Sequence, residues 1–140
     1  MTSAQVFLDV NALIYALDET SEQYTDAVNI IQKLLDNDVT LCTSHHVIAE
    51  VIHVARKISG TSATEVVREI SKIPDLVLVE PDAVLAFAKR YAALSDKLRM
   101  GVNDALLLQL MIDAGIPQLL SYDKRLANRA TSLGIKQVAR

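Results

Sequence analysis

Tryptophan is absent and aromatic residues make up only 4% of the chain, as four tyrosines and two phenylalanines. Too few rings are present for the stacking platforms on which many single-strand nucleic-acid binders rely. The single cysteine, Cys42, excludes an internal disulfide and suits a reducing compartment. In the apolar run Val39-Thr40-Leu41-Cys42 it reads as a core residue. Positive charge is not in excess, with 14 Lys and Arg against 17 Asp and Glu and a net charge of −3. A simple basic binding module is thereby disfavoured, and any contact with a polyanion must use local basic groups or a bridging cation. No apolar stretch approaches the roughly 18 residues needed to cross a bilayer. Met1 to Gln5 also lacks the basic region of a secretory signal, so the expectation is a cytoplasmic protein with no membrane partner. Glycine and proline are scarce, at four and three, and no repeat, linker or low-complexity tract interrupts the chain.

What is present is a large apolar fraction, 51%, in 140 residues, enough for one substantial core. A single domain spanning residues 1–140 is the expectation. Val6-Phe7-Leu8 reads as a strand ending at Asp9, and Asn11 starts a helical pattern. A helix from Glu22 to about Asn37 follows, then a strand from Val39 to Thr43. Ser44 is a natural N-cap for a helix that stops at Gly60, and Thr61 or Ser62 can cap the next, to about Lys72. Leu76 to Val79 reads as a third strand, and Pro81-Asp82 opens a helix through Phe87 and Tyr91. Residues 95–103 read as a polar connection before a strongly apolar helix from Asp104 to Ala114, which Gly115 closes. A fourth strand at Gln118 to Ser121, a helix from Lys124 to Leu133 and a final strand at Gly134 to Val138 complete the order. Strands alternating with helices predict a mainly parallel sheet in a three-layer α/β/α fold.

In such a sheet, ligands bind beyond the carboxyl ends of the strands, where strand order reverses. Asp9, Ser44 and Asp123 follow the first, second and fourth strands, so three turns present side-chain oxygens at one rim. Glu50 lies about 9 Å along its helix from Ser44, close enough to lean over the same crevice, and Asp104 opens another helix that can face inward. Each acid has a plainer role available, because aspartate at a helix N-terminus accepts backbone hydrogen bonds and complements the dipole. Asp9 resists that reading if Asn11 is the cap. Glu50 sits in His46-Val47-Ile48-Ala49-Glu50-Val51-Ile52-His53, apolar enough that burial is expected, and a buried carboxylate needs a cation or a hydrogen-bond network. His46, Glu50 and His53 share one helical face, as in some transition-metal sites. The plainer alternatives are that His46 touches phosphate near the crevice and that His53 is a core or interface residue.

Four segments taken together resemble the PIN-domain nucleases, a family that includes the toxin halves of many toxin–antitoxin pairs. Phe7-Leu8-Asp9-Val10-Asn11-Ala12-Leu13-Ile14-Tyr15 looks like the opening signature, with Asp9 as metal-binding aspartate and Asn11 in support. Thr43-Ser44 followed by Glu50 resembles the second motif and Asn103-Asp104-Ala105-Leu106 the third. Leu120-Ser121-Tyr122-Asp123-Lys124-Arg125-Leu126 resembles the fourth, with Ser121 where a threonine is common and Leu126 where many members carry phenylalanine. The resemblance implies hydrolysis of RNA by a carboxylate cluster of Asp9, Glu50, Asp104 and Asp123 that holds Mg²⁺ or Mn²⁺, the hard cations such ligands select. Asp9 and Asp104 are the expected direct ligands, Glu50 and Asp123 bind directly or through water, and Asn11, Ser44 and Ser121 orient the shell. His46, Lys124 and Arg125 are candidate substrate contacts. A toxin role implies an antitoxin protein as partner, and the faces around Ile30, Leu34, Val66 and Ile70 either cover core or form a homodimer.

Two other readings compete. One is a PIN-like module that keeps its acids for structure and recruits RNA or protein without cutting. The other is a phosphoacceptor signalling domain, which fits poorly because the third strand ends in Glu80-Pro81-Asp82 and Lys136 lies inside the last strand.

Overall fold

The computed structural model describes residues 4–139. Five strands, β1 (Gln5–Leu8), β2 (Thr40–Thr43), β3 (Val77–Leu78), β4 (Gln118–Leu120) and β5 (Lys136–Gln137), form one sheet in the order β3-β2-β1-β4-β5. Every neighbouring pair is parallel, with Phe7 of β1 in register with Cys42 of β2 and Leu119 of β4. Parallel neighbours need long crossovers, and seven helices supply them: α1 (Val10–Leu17), α2 (Tyr24–Asp36), α3 (His45–Ser59), α4 (Ala63–Ile70), α5 (Val84–Leu98), α6 (Val102–Ala114) and α7 (Lys124–Ser132). The chain leaves β1 toward β2 and β3, then returns past β1 to β4 and β5, so strand order reverses between β1 and β4. The main helix contacts run among α1, α2, α3 and α4 and, separately, between α5 and α6. These are the groups that right-handed crossovers in opposite directions put on opposite faces, as a three-layer fold requires.

Burial explains why the strands read as continuous apolar runs rather than alternating ones. Val6, Phe7 and Leu8 of β1, Leu41 and Cys42 of β2, and Leu119 and Leu120 of β4 are all buried, because both faces of the sheet are covered. Helix α6 buries Ala105, Leu107, Leu108, Leu110 and Met111 over much of its circumference. Cys42 is a free thiol in this core, and burial pushes its pKa up.

Several termini match the expected caps. Ser44 Oγ accepts from Val47 N at 3.2 Å, and α3 and α6 end at left-handed Gly60 and Gly115, a conformation that costs glycine little. Ser62, rather than Thr61, caps α4 by accepting from Glu65 N at 3.2 Å. Other boundaries differ. Helix α1 begins at Val10, directly after Asp9. Strand β3 pairs only Val77 and Leu78, because it is an exposed edge. Residues 95–103 are not a connection. Leu94 and Leu98 pack on the core and carry α5 to Leu98, and Ser95 Oγ donates to the Met100 carbonyl at 2.6 Å across the tight turn into α6. Val66 and Ile70 are buried within the chain, and Ile30 and Leu34 pack against its core, so these residues cover core.

The core makes a direct prediction. Leu108 is fully buried in α6, so Leu108→Ala should lower unfolding free energy by about 3 kcal/mol, as measured by urea denaturation. A loss below about 1 kcal/mol would show that α6 is not the tightly packed helix described.

Candidate active site

The site forms where strand order reverses. Asp9 is the first residue beyond β1, only 3% exposed, and is itself the N-cap of α1: its Oδ1 accepts from Ala12 N at 2.9 Å. Its Oδ2 accepts a short hydrogen bond from Ser121 Oγ, which lies just beyond the neighbouring strand β4. Ser121 Oγ in turn accepts from Asp123 N at 3.0 Å, so one hydroxyl ties the turns after β1 and β4 together. From the other side, Thr43 at the end of β2 donates through Oγ1 to the Leu8 carbonyl at 3.0 Å, bracing the end of β1.

Helices bring the remaining acids to this end of the sheet. Asp123 caps α7, its Oδ1 accepting from Arg125 N at 2.9 Å and Leu126 N at 3.2 Å. Asp104 lies in the first turn of α6 and Glu50 midway along α3. Asp9, Glu50, Asp104 and Asp123 all line one cavity of about 280 Å³, together with Asn11, His46 and Asn103. A groove of about 300 Å³ between α1, α3 and α4 is slightly larger and mainly apolar, with Ile14, Leu17, Ile58 and Val66 in its lining beside the acids Asp18, Glu19 and Glu69.

The electrostatics show that the acids act on one another. Burial is the main cause pushing Asp9 up from its ordinary 3.8 to about 6, with Asp123 adding to it; the bonds from Ser121 and Ala12 oppose the rise. Asp104 is also raised, first by desolvation and then by Asp123 and Glu50, while Arg125 and Arg129 of α7 pull it down.

The model of the PIN domain matches residues 6–131. The chain belongs to the PIN domain family. Members are typically nucleases that use divalent metals. No curated protein matches the chain by sequence. Among solved structures, this PIN domain resembles VapC20 of Mycobacterium tuberculosis, a sarcin–ricin loop cleaving toxin, with 17% identity, a TM-score of 0.69 and coverage of 96% of this chain and 99% of that one. VapBC2 of Rickettsia felis, bound to a DNA fragment from its promoter, gives 16% identity and a TM-score of 0.65, covering 96% of this chain and 99% of that one. VapBC-1 of nontypeable Haemophilus influenzae gives 18% and 0.64, covering 96% of each chain. At these identities the likeness is one of fold.

The residues of this PIN domain suit a divalent cation. Four oxygen-bearing acids surround one cavity, and bound positive charge would offset the desolvation and mutual repulsion that raise Asp9 and Asp104. His46 also lines the cavity, and its buried Nε2, 2.9 Å from Glu50 Oε1, has no hydrogen-bond partner. Among the described residues, no group of three or more His, Cys, Asp and Glu side chains stands close enough together to hold a metal ion as they are placed.

Four expectations from the sequence need correction. Asp9, not Asn11, caps α1, because its carboxylate already reaches the Ala12 amide; Asn11 lines the cavity instead. Glu50 is not largely buried: its side chain is 37% exposed, since α3 turns this residue toward the open mouth of the cavity, and the costly buried carboxylate is Asp9. Ser44 does not line the cavity; its hydroxyl is engaged in capping α3, the helix that carries His46 and Glu50. His53 is exposed, not a core residue, and lies outside the cavity, so the competing trio of His46, Glu50 and His53 does not form a site either. Lys124 and Arg125 are exposed on α7. The sequence reading missed Asn103, which lines the cavity, and Arg129, whose four-residue spacing from Arg125 puts both on one side of α7.

A pH titration tests the burial of Asp9. An acid raised in the folded state stabilises the fold fully below its unfolded pKa near 3.8, and this contribution is lost as pH rises through about 6. With divalent cations chelated, Asp9→Asn should therefore gain about 2–3 kcal/mol relative to wild type between pH 4 and pH 8. Denaturant unfolding of both proteins at the two pH values measures it. A pH-independent difference would mean that the Asp9 carboxylate is well solvated.

Proposed function

We propose that this chain is a divalent-metal-dependent endoribonuclease, a single PIN-like domain over residues 1–140 whose centre is Asp9, Glu50, Asp104 and Asp123. The observation that carries the reading is the meeting of four acids, distant in sequence, around one cavity at the reversal of strand order. Isolated capping roles would not require Glu50 and Asp104 to share that cavity, since neither is an N-cap.

In this reading Asp9 and Asp104 bind Mg²⁺ or Mn²⁺ directly, Glu50 and Asp123 directly or through water. A cation bound there supplies Lewis-acid polarisation of a phosphodiester and a more acidic attacking water. Ser121 and the Ala12 amide fix the Asp9 carboxylate in one orientation, and Asn11 contributes from the cavity wall. Ser44 acts at one remove by capping the helix that carries Glu50. Arg125 and Arg129, whose charges already reach Asp104, would meet the RNA backbone, with Lys124 beside them. RNA as substrate is supported by the likeness to the loop-cleaving toxin VapC20, and an antitoxin partner by the likeness to VapBC complexes. Val84 and Leu85 at the start of α5, 71% and 72% exposed, offer an apolar surface for an antitoxin or for a homodimer.

One observation favours the silent-module reading: Asp9 and Asp123 both serve as helix caps and would have structural value without catalysis. Turnover separates the two readings. RNA cleavage should require Mn²⁺ or Mg²⁺ and should fall by about a hundredfold or more in Asp9→Asn and in Asp104→Asn, with each variant folded by circular dichroism. Undiminished cleavage in both variants, from preparations free of contaminating nuclease, would sink the assignment. Cation binding without any turnover would favour the silent module.

A further inference from the structure

His46 stands one turn before Glu50 on α3, and its Nε2 lies 2.9 Å from Glu50 Oε1. The pair is within ion-pair distance but does not meet hydrogen-bond geometry, so Nε2, itself buried, has no hydrogen-bond partner. The rest of the imidazole is not enclosed, as the side chain is 37% exposed, so the orphaned nitrogen is not a consequence of a ring trapped in the core. The residue lines the cavity that also holds the four acids. If Nε2 is unprotonated, its lone pair faces carboxylate lone pairs; if protonated, its hydrogen misses its acceptor. A cation between the two groups satisfies both. Two ligands about 2.1 Å from one octahedral ion and at right angles to each other lie about 3.0 Å apart, close to the observed separation.

From this juxtaposition we infer that His46 Nε2 is a direct nitrogen ligand of the metal centre, adjacent in the coordination shell to Glu50. The inference rests on the metal-dependent reading above and sharpens it. Mg²⁺ takes oxygen ligands, whereas imidazole suits first-row transition ions. The cavity should therefore select Mn²⁺ over Mg²⁺, and a four-carboxylate site without the histidine should discriminate less. His45 and His53 do not line the cavity and serve as internal controls; His45 instead lies 3.4 Å from Glu80 at the surface.

Pulsed electron paramagnetic resonance of the Mn²⁺-loaded full chain reads the bond without reference to activity. Wild type should show nitrogen modulation that changes to the ¹⁵N pattern when histidine is ¹⁵N-labelled. The modulation should vanish in His46→Gln and in His46→Asn and persist in His45→Gln and His53→Gln. Calorimetric titration should show Mn²⁺ affinity falling by about tenfold in the His46 variants, with Mg²⁺ affinity changing by less than about threefold. Mn²⁺ bound to wild type without histidine modulation, or modulation that survives both His46 variants, would overturn the inference and leave the carboxylate centre standing. Failure of Mn²⁺ to bind wild type at all would overturn both.

Discussion

The candidate site is organised around one carboxylate held out of water. Asp9 is 3% exposed at the end of the central strand, where burial alone would make the charged form costly. The fold offsets part of that cost with fixed donors: the Ala12 amide on one oxygen and the Ser121 hydroxyl on the other. Compensation is incomplete, since the acid still sits at about 6. An asparagine could fill the same cap without the charge penalty. An under-compensated acid at the reversal of strand order is what the proposed metal-dependent centre calls for, at some expense to stability.

The same hydrogen bonds determine how the other groups are arranged. Ser121 accepts from the Asp123 amide while donating to Asp9, so the positions of these two acids are coupled through one oxygen. Thr43 secures the far side of β1, and Val79 N donates to the Thr43 carbonyl at 2.8 Å, so β2 and β3 are tied into the same rim. Glu50 and Asp104 come from α3 and α6, helices of the β2–β3 and β3–β4 crossovers, which run in opposite directions across the sheet. Their meeting over one cavity is therefore a product of topology, and no local sequence rule could have produced it.

This accounts for what the sequence disclosed and what it withheld. The three apolar strands β1, β2 and β4 were legible because burial on both faces leaves unbroken hydrophobic runs, and the caps at Ser44, Gly60 and Gly115 because they use local backbone chemistry. The extent of α5 was not, because Ser95, Asp96, Lys97 and Arg99 are polar and only Leu98 marks the buried face. The cap at Asp9 was missed because Asn11 competes for it on propensity alone, and the choice depends on where β1 ends. Glu50 looked buried because its neighbours are apolar, yet a helix can turn a single residue toward a cavity mouth. The acids themselves were legible from the motif pattern; which of them bears the desolvation was a tertiary fact.

On the proposed function, an acidic chain has to meet a polyanionic substrate through local electrostatics. With a net charge of −3, long-range attraction is unavailable, and four acids around the cavity repel phosphate further. The counterweight is α7, which places Arg125 and Arg129 near enough to lower Asp104 while Asp123, at the same helix's N-terminus, raises it. Opposite charges on one short helix make a steep field across a few ångströms, attractive at the arginines and repulsive at the acids. RNA could then be drawn to the rim by arginine and admitted to the centre only when bound cations reverse its sign, so substrate entry and metal loading would be coupled by charge rather than by any moving part.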